Sequence, residues 1–251
     1  MKKQTVITIL VVVVVMGIAV LSYVHYKTKN IEIPVSEVPQ APAVSTQSES
    51  VTIMEATISE PNYTGTKPVI GGKGVLADAA RTYIKNSIDD FAAEADKEVP
   101  GLRKQYGNDA PSSHFTIDIN AKMIESAATQ SIVTDSYLYT GGANGNSSYK
   151  VFTATRSGTL LSIHDIVKPD AKDSFVAFIK KRLLTYSPDG ATPSVFPDEI
   201  KDLTIDSFSD FSFDDKNMTV YFDKYEIGPG ALGAVAFPIP LGSIQPYIQL
   251  P

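Results

Sequence analysis

A glycine- and asparagine-rich segment from Tyr139 to Asn146 is the group of residues most suggestive of chemistry in this chain. It reads Tyr-Thr-Gly-Gly-Ala-Asn-Gly-Asn, which lacks the spacing of dinucleotide-binding and P-loop motifs, and it leads into a predicted strand rather than a helix. Glycine and asparagine adopt positive φ more readily than other residues, so the segment is either a demanding turn or a loop that contacts a ligand. The candidate ligand-binding residues here are Tyr139, Gly141, Gly142, Asn144 and Asn146.

A second loop of restricted geometry runs from Tyr225 to Gly233 and contains three glycines and one proline. This composition is typical of sharp turns with a fixed path. Because recognition residues concentrate on loops that are held by a rigid scaffold, we add Tyr225 and Glu226 to the candidate ligand-binding residues.

Side chains that could catalyse a reaction are few. The chain has no cysteine, so thiolate nucleophiles and thiolate metal sites are excluded. His164 and Asp165 are adjacent, but no G-x-S-x-G or H-E-x-x-H motif accompanies them. Asp206, Asp210 and the Asp214–Asp215 pair form an acidic patch that is typical of a solvated surface, with a paired-carboxylate site as the alternative. We therefore predict no catalytic residue, no metal site, no cofactor and no enzymatic activity.

Hydrophobic periodicity predicts the elements that must position these loops. Apolar residues at three- and four-residue steps from Leu76 to Val99 predict a long helix that ends at Pro100 and Gly101. A second helix is predicted over residues 170–186, with Asp170 as its N-cap. Segments rich in β-branched and aromatic residues predict strands at 51–58, 114–120, 132–139, 149–155, 206–213, 218–223 and 234–238. This order predicts an α+β fold, with antiparallel sheets and two main helices.

Residues 1–29 form a predicted N-terminal membrane anchor with short flanks. Val6 to Val24 is an uncharged run of 19 residues. As a helix this run would span about 28 Å, which matches the hydrocarbon core of a bilayer. Signal peptides usually have only about 7–15 apolar residues, so the run predicts an uncleaved anchor. The short basic start, with Lys2 and Lys3, indicates a single pass with the C-terminal domain outside the cell membrane.

The remainder of the chain divides into a stalk and two folded halves. Residues 30–50 contain three prolines among Ser, Thr and Gln without apolar periodicity, which predicts a disordered stalk. Residues 51–157 are predicted to form a first α+β half, and residues 158–251 a second.

The charge balance indicates which partners the folded part can attract. The chain has 28 acidic and 22 basic residues, and four of the lysines lie in residues 1–29, where no acidic residue occurs. The later residues therefore carry a net charge of about −10, which repels nucleic acid and attracts a cationic partner.

Several motifs together resemble a known family. They are Thr-Gly-Gly-Ala-Asn-Gly-Asn from Thr140, Ser-Gly-Thr-Leu-Leu-Ser-Ile-His-Asp-Ile-Val from Ser157, and Tyr-Glu-Ile-Gly-Pro-Gly-Ala-Leu-Gly from Tyr225. With the helix between the last two, this order resembles the paired extracytoplasmic domains of RsiV-type anti-sigma factors and PdaC-type peptidoglycan deacetylases. Asn144 stands where that family commonly has histidine.

The resemblance implies a function in the bacterial cell envelope. It implies a membrane-anchored binding or sensing module without the effector domains of those proteins. The partner it implies is a cell-wall glycan or a cationic protein such as lysozyme, which would suit the acidic balance. A cell-wall-active hydrolase or a deacetylase-associated enzyme is the alternative.

The predicted anchor can be tested in cells. We expect the chain to fractionate with membranes, and protease added to spheroplasts should digest the C-terminal domain, because Val6 to Val24 spans the bilayer. Immunoblotting against a C-terminal tag measures both outcomes. Recovery of a chain that lacks about the first 25 residues would instead establish cleavage, and protection of the domain would reverse the orientation.

Overall fold

A computed structural model describes residues 51–188, 190 and 194–250 of the chain. The predicted anchor and stalk therefore lie outside the described residues. Within those ranges, none of the helices is both long enough and apolar enough to cross a bilayer.

The first sheet has five strands in the spatial order β1-β2-β3-β4-β5. All neighbouring pairs are antiparallel except β2 and β3, which are parallel. Antiparallel neighbours need only a turn, whereas parallel neighbours need a crossover, and here a long helix, α1, provides it. The bounds are β1 Thr52–Ser59, β2 Tyr63–Gly71, α1 Val75–Tyr106, β3 Phe115–Glu125, β4 Thr129–Tyr139 and β5 Asn146–Thr155.

Helix α1 packs its apolar stripe against one face of the first sheet. Ala80, Ile84 and Phe91 are buried on the helix side, and Ile117 and Ile132 are buried on the sheet side. Removing a large side chain of this kind from water contributes about 1.5–3 kcal/mol, so the helix depends on the sheet for its stability. The helix face predicted from the spacing is therefore confirmed as core.

The end of α1 differs from the prediction. The helix continues through Pro100 to Tyr106, although an interior proline removes one helical hydrogen bond. Arg103 holds the extra turn, because its guanidinium donates to Asn62 Oδ1 at 2.9 Å and to the Pro61 carbonyl at 2.8 Å. The turn between β1 and β2 thus clamps the helix beyond the point at which local sequence predicts a stop.

The second sheet is smaller and is surrounded by short helices. It has three antiparallel strands in the order β6-β7-β8. The bounds are α2 Ile163–Ile166, α3 Lys172–Leu183, α4 Pro197–Asp202, β6 Phe211–Phe213, β7 Asn217–Phe222, β8 Val235–Pro240 and α5 Leu241–Ile244. The second predicted helix is α3, and it begins after Asp170 because Pro169–Ala171 forms a separate 3-10 turn.

The core of this second part is rich in phenylalanine. Phe175 of α3 meets Phe208 edge-on at 6.0 Å, and Phe208 meets Phe222 of β7 at 6.2 Å in the same manner. Such edge-to-face pairs add about 0.5–1.5 kcal/mol beyond the area they bury. The rings therefore connect the helix to the second sheet.

The second sheet packs against the face of the first sheet that α1 leaves free. Val133 of β4, Val151 of β5 and Tyr221 of β7 form a small buried cluster between the sheets. Thr153 Oγ1 also donates to the Phe211 carbonyl at 2.5 Å. The two sheets are thus joined by apolar and polar contacts within one compact unit.

The outer edge of β5 is closed by carboxylates from the second part. Asp210 Oδ1 accepts a hydrogen bond from the Val151 amide at 2.7 Å, and Asp223 Oδ1 accepts one from the Tyr149 amide at 2.8 Å. Further along, the Leu161 amide donates to the Thr153 carbonyl at 2.8 Å. Backbone groups that would face solvent at an edge strand therefore have partners.

The predicted α+β class with two main helices is confirmed. Three details of the sheets were wrong. One strand pair is parallel, and β2 was not predicted, because Gly65 and Pro68 are residue types that disfavour strands. The strand predicted over residues 206–213 is shorter, because Ile205–Phe208 forms a 3-10 helix and only Phe211–Phe213 forms β6. The division at residues 157 and 158 stays a prediction.

Removing the Asp210 carboxylate should destabilise the fold. In Asp210→Ala the Val151 amide loses its acceptor, at a cost of about 1–3 kcal/mol. Asp210→Asn keeps a side-chain oxygen and should lose less. Urea unfolding at neutral pH measures both free energies of unfolding.

The exposed Asp215 in the turn between β6 and β7 provides the control. Asp215→Ala should stay within about 0.5 kcal/mol of the parent. An Asp210→Ala variant as stable as this control would show that the carboxylate does not hold the edge of β5.

Candidate functional site

An open groove lies on the first sheet where the second sheet stops covering it. Val133 is buried beneath the second sheet, whereas Asp135 and Tyr137, further along the same face of β4, are exposed. The groove has a volume of about 250 Å³. Its lining residues are Asn120, Asp135, Ser136, Tyr137, Ser147, Ser148, Tyr149 and Ala234.

Strand register arranges the groove side chains in two rows. Asp135 pairs directly with Asn120 of β3 on one side and with Tyr149 of β5 on the other. Directly opposed residues of antiparallel strands point to the same face, so an amide, a carboxylate and a phenol stand in line.

The neighbouring row repeats this chemistry. Tyr137 pairs with Asp118 of β3 and with Ser147 of β5. The Asp118 carboxylate accepts a hydrogen bond from the Thr66 hydroxyl at 3.0 Å, which orients it. Aromatic rings and carboxylates therefore alternate over this part of the sheet.

The ring of Tyr137 rests on the backbone of the glycine-rich loop. The hydroxyl end of the ring fills the space that a Cβ atom would need at Gly145. The side chain is still 42% exposed. Glycine at this position thus lets the ring be supported on one side while the other side stays accessible.

Tyr225 is supported in a similar way on the second predicted loop. Its ring occupies the space of a Cβ atom at Gly230, and the side chain is 56% exposed. Its φ of 72° places a non-glycine residue in the left-handed region, which costs about 1–2 kcal/mol. The surrounding contacts hold the ring in an orientation that the backbone alone disfavours.

Lys224 brings the two predicted loops together. Its ammonium donates to the Gly145 carbonyl at 2.5 Å and lies 5.0 Å from the centre of the Tyr225 ring. Its amide donates to the Ser147 carbonyl at 3.0 Å. The glycine-rich loop and the Tyr225 loop therefore border the same end of β5.

The residues predicted from the glycine-rich loop occupy different environments. Tyr139 is half-buried at the end of β4, and Asn146 is exposed at the start of β5. Gly141 has a φ of 82° and lies so close to the Ser112 backbone that a Cβ atom would not fit there. The fold itself therefore requires glycine at this position. Gly142 and Asn144 are exposed.

Glu226 has a structural contact as well. Its Oε2 atom accepts the Asp223 amide at 2.9 Å and so closes the turn that presents Tyr225. A ligand-binding role for the seven residues chosen from the sequence stays a prediction.

Sequence reasoning missed the residues of the sheet face itself. These are Asn120, Asp135, Tyr137 and Tyr149. The available signal was the alternation Asp135-Ser136-Tyr137-Leu138-Tyr139, which places a carboxylate and two phenols on one face of a strand. Which face lacks a covering layer depends on where the second sheet packs, and that is not a local property.

The pKa of Tyr149 is raised, mainly by burial, and the negative charge of Asp135 raises it further. Tyr149 therefore stays a neutral hydroxyl at neutral pH and can both donate and accept hydrogen bonds. Its ring lies 5.0 Å from that of Tyr221, which fixes it against the second sheet.

His164 and Asp165 both have structural partners. His164 Nε2 contacts Asp206 Oδ1 at 2.8 Å, and Asp165 closes a capping box with Ser162. The Ser162 hydroxyl and amide both donate to Asp165, which lowers the pKa of that carboxyl. In the described part of the chain, no three His, Asp or Glu side chains are grouped as metal ligands would be.

Two family models match the chain. The one described as Deacetylase PdaC matches residues 48–147, and the one described as a protein of unknown function, DUF3298, matches residues 164–242. Together the two matches are consistent with a PdaC/DUF3298-type module. The first family covers α1 and most of the groove, and the second covers the Tyr225 loop. This confirms the resemblance to PdaC-type proteins, whereas the resemblance to RsiV-type anti-sigma factors stays a prediction.

A curated relative adds a named activity for comparison. The peptidoglycan-N-acetylmuramic acid deacetylase PdaC of Bacillus subtilis (strain 168) is 32% identical over 161 residues, which make up 59% of this chain and 34% of that protein. The chain thus spans about a third of the length of that relative.

Solved structures share the fold of the PdaC/DUF3298-type module. A DUF3298 family protein from Bacteroides fragilis NCTC 9343 has a TM-score of 0.56 at 13% identity, covering 80% of this chain and 93% of that one. A DUF3298 family protein from Pseudomonas aeruginosa PAO1 has a TM-score of 0.52 at 15% identity, with the same coverage.

The prediction that the chain has no enzymatic activity is wrong by these comparisons. The match to the deacetylase family and the 32% identity to a curated deacetylase point towards an enzyme, over part of each chain. The absence of known catalytic motifs did not exclude an enzyme, because such motifs cover only the nucleophile and metal-binding patterns that are already recognised.

The support of Tyr137 by Gly145 can be tested by adding one methyl group. In Gly145→Ala the new Cβ overlaps the Tyr137 ring, so the ring must move while the fold persists. Aromatic NMR signals of Tyr137 should shift strongly. Gly142→Ala is the control, because the nearest heavy atom to its new Cβ lies 4.0 Å away. Equal shifts in both variants would contradict the contact.

Proposed function

We propose that the module binds the glycan of the bacterial cell wall from the outer side of the membrane, in the groove between Tyr137 and Tyr149. The observation that carries this proposal is that phenol, carboxylate and amide side chains stand in two neighbouring rows on an uncovered face of the first sheet. The relative that acts on a peptidoglycan sugar supports the choice of ligand.

The groove offers the two contacts that a sugar ring requires. One face of a pyranose presents C–H groups, which pack on an exposed aromatic ring such as that of Tyr137. The ring edge presents hydroxyl and amide groups, for which Asn120, Asp135 and Ser147 provide donors and acceptors.

The size of the groove indicates a short recognition element and weak binding. Its volume of about 250 Å³ lies below the range of about 300–1,000 Å³ typical of pockets for drug-sized ligands. We therefore expect one or two sugar units to be held at a time, with a Kd on the order of 1 mM, or about −4 kcal/mol. Repeated sugars along a glycan strand would raise the apparent affinity.

A role in N-deacetylation of a cell-wall amino sugar is the second candidate. The family match over residues 48–147 and the identity to a curated deacetylase favour it. The binding assay can test it directly, because deacetylation releases acetate from the same N-acetylated ligand.

The location is part of the proposal. The uncharged run from Val6 to Val24 would anchor the module, and the proline-containing residues 30–50 would separate it from the lipid. As a coil, 21 residues reach on the order of 25 Å from end to end, enough to present the groove to the wall.

Glycan binding should depend on Tyr137. With the purified 251-residue chain, isothermal titration of N-acetylglucosamine tetramer and of soluble peptidoglycan glycan strands should show binding that Tyr137→Ala weakens about fivefold or more. The reason is the loss of the exposed stacking ring. Acetate is measured in the same samples.

Tyr106→Ala is the matched control, because Tyr106 is 57% exposed at the end of α1 and does not line the groove. Absence of binding to both glycans would refute the binding proposal. Steady acetate release that follows enzyme concentration would establish the second candidate, and its absence would remove it.

A further inference from the structure

Asp135 is the only charged side chain among the residues that line the groove. It is exposed, and no described residue forms a hydrogen bond or an ion pair with its carboxylate. Most other carboxylates near the groove are engaged, since Asp210 pairs with Lys150 at 3.0 Å and Asp118 accepts the Thr66 hydroxyl. Asp135 therefore has its full capacity to accept charge-assisted hydrogen bonds from a ligand.

Two phenol rings flank this carboxylate. Tyr149 is its direct cross-strand partner, and Tyr137 lies two residues along the same face of β4. Aromatic faces attract cations, and a carboxylate adds a charge-assisted hydrogen bond to an ammonium group. A neutral sugar gains packing and hydrogen bonds from these three side chains, whereas an ammonium group also gains charge attraction from the carboxylate and from both rings.

In the part of the chain that the structure describes, the neighbouring lysines are not paired with Asp135. Lys224 donates to the Gly145 carbonyl, and Lys150 belongs to the Asp210 pair. Lys122 stands on the same face of β3, diagonal to Asp135, and is exposed without an ion pair to it among the described residues. With a net charge of about −10 over the chain after residue 29, the surroundings also favour a cation.

From this arrangement we infer that the groove selects glycans whose amino sugars carry a free amine over their N-acetylated forms. The ammonium would sit on Asp135 between Tyr137 and Tyr149, and the sugar ring would lie on Tyr137. This inference rests on the proposed glycan binding and names the chemical form that the groove prefers. In cell-wall terms, the preferred ligand is the product of a deacetylation reaction.

The test compares two ligands that differ only in the acetyl groups. The 251-residue chain is titrated with fully N-acetylated and fully deacetylated β-1,4-glucosamine tetramers at low salt and at about 0.5 M salt. We expect the amine form to bind about tenfold more tightly, equivalent to about 1.4 kcal/mol, and the preference to shrink at high salt.

Asp135→Asn is the decisive variant, because it removes the charge and keeps the shape. It should abolish the preference for the amine form, because loss of the charge weakens binding of the amine tetramer about tenfold more than binding of the N-acetylated tetramer. Asp90→Asn is the charge-matched control, since Asp90 is an exposed carboxylate on α1, which covers the opposite face of the sheet. This control should retain the preference.

The outcomes distinguish a failure of the amine preference from a failure of glycan binding itself. Equal binding of both tetramers, or a preference that survives Asp135→Asn, overturns the selection of the amine while glycan binding stands. Failure of both tetramers to bind overturns both. A tetralysine peptide that binds as tightly as the amine tetramer would show a general cation site and would also overturn the inference.

Discussion

The pairing of two aspartate carboxylates with the edge of β5 is the interaction on which the rest of this structure depends. Asp210 and Asp223 accept the amides of Val151 and Tyr149, which an edge strand would otherwise present to solvent or to another chain. Each bond is charge-assisted and partly shielded, so it is stronger than an ordinary exposed hydrogen bond. The second sheet is thereby fixed in register as well as in position, because the two acceptors match alternate residues of one strand.

This fixed register determines where the groove begins. The inter-sheet cluster around Val133 and Val151 ends before Asp135, and Tyr149 packs at its border, so the uncovered part of the face starts at a defined row. The groove is then lined by β3, β4 and β5 of the first sheet and, from the second part of the fold, by Ala234. Recognition residues on strands are held more precisely than residues on free loops, which suits a site that must distinguish small chemical groups.

Local sequence patterns predicted the elements that depend on local physics. The helix face of α1 followed from its three- and four-residue spacing, and most strands followed from β-branched and aromatic residues. Strand β2 was missed because its Gly65 looks like a breaker, yet the close approach of the Ile117 carbonyl leaves no space there for a Cβ atom. The groove was missed for a related reason: Asp135 and Tyr137 become a site only because a distant strand stops short of them.

At Tyr225 the left-handed backbone conformation costs stability, while the side chain that it carries presents an aromatic ring at the surface. Glycine would relieve the strain and is the residue that a purely stability-driven redesign would choose there. The same change would delete the ring that Gly230 supports and that Lys224 approaches. A consensus or stability-optimised version of this chain would thus be at risk of losing an exposed aromatic side chain while every measure of folding improved.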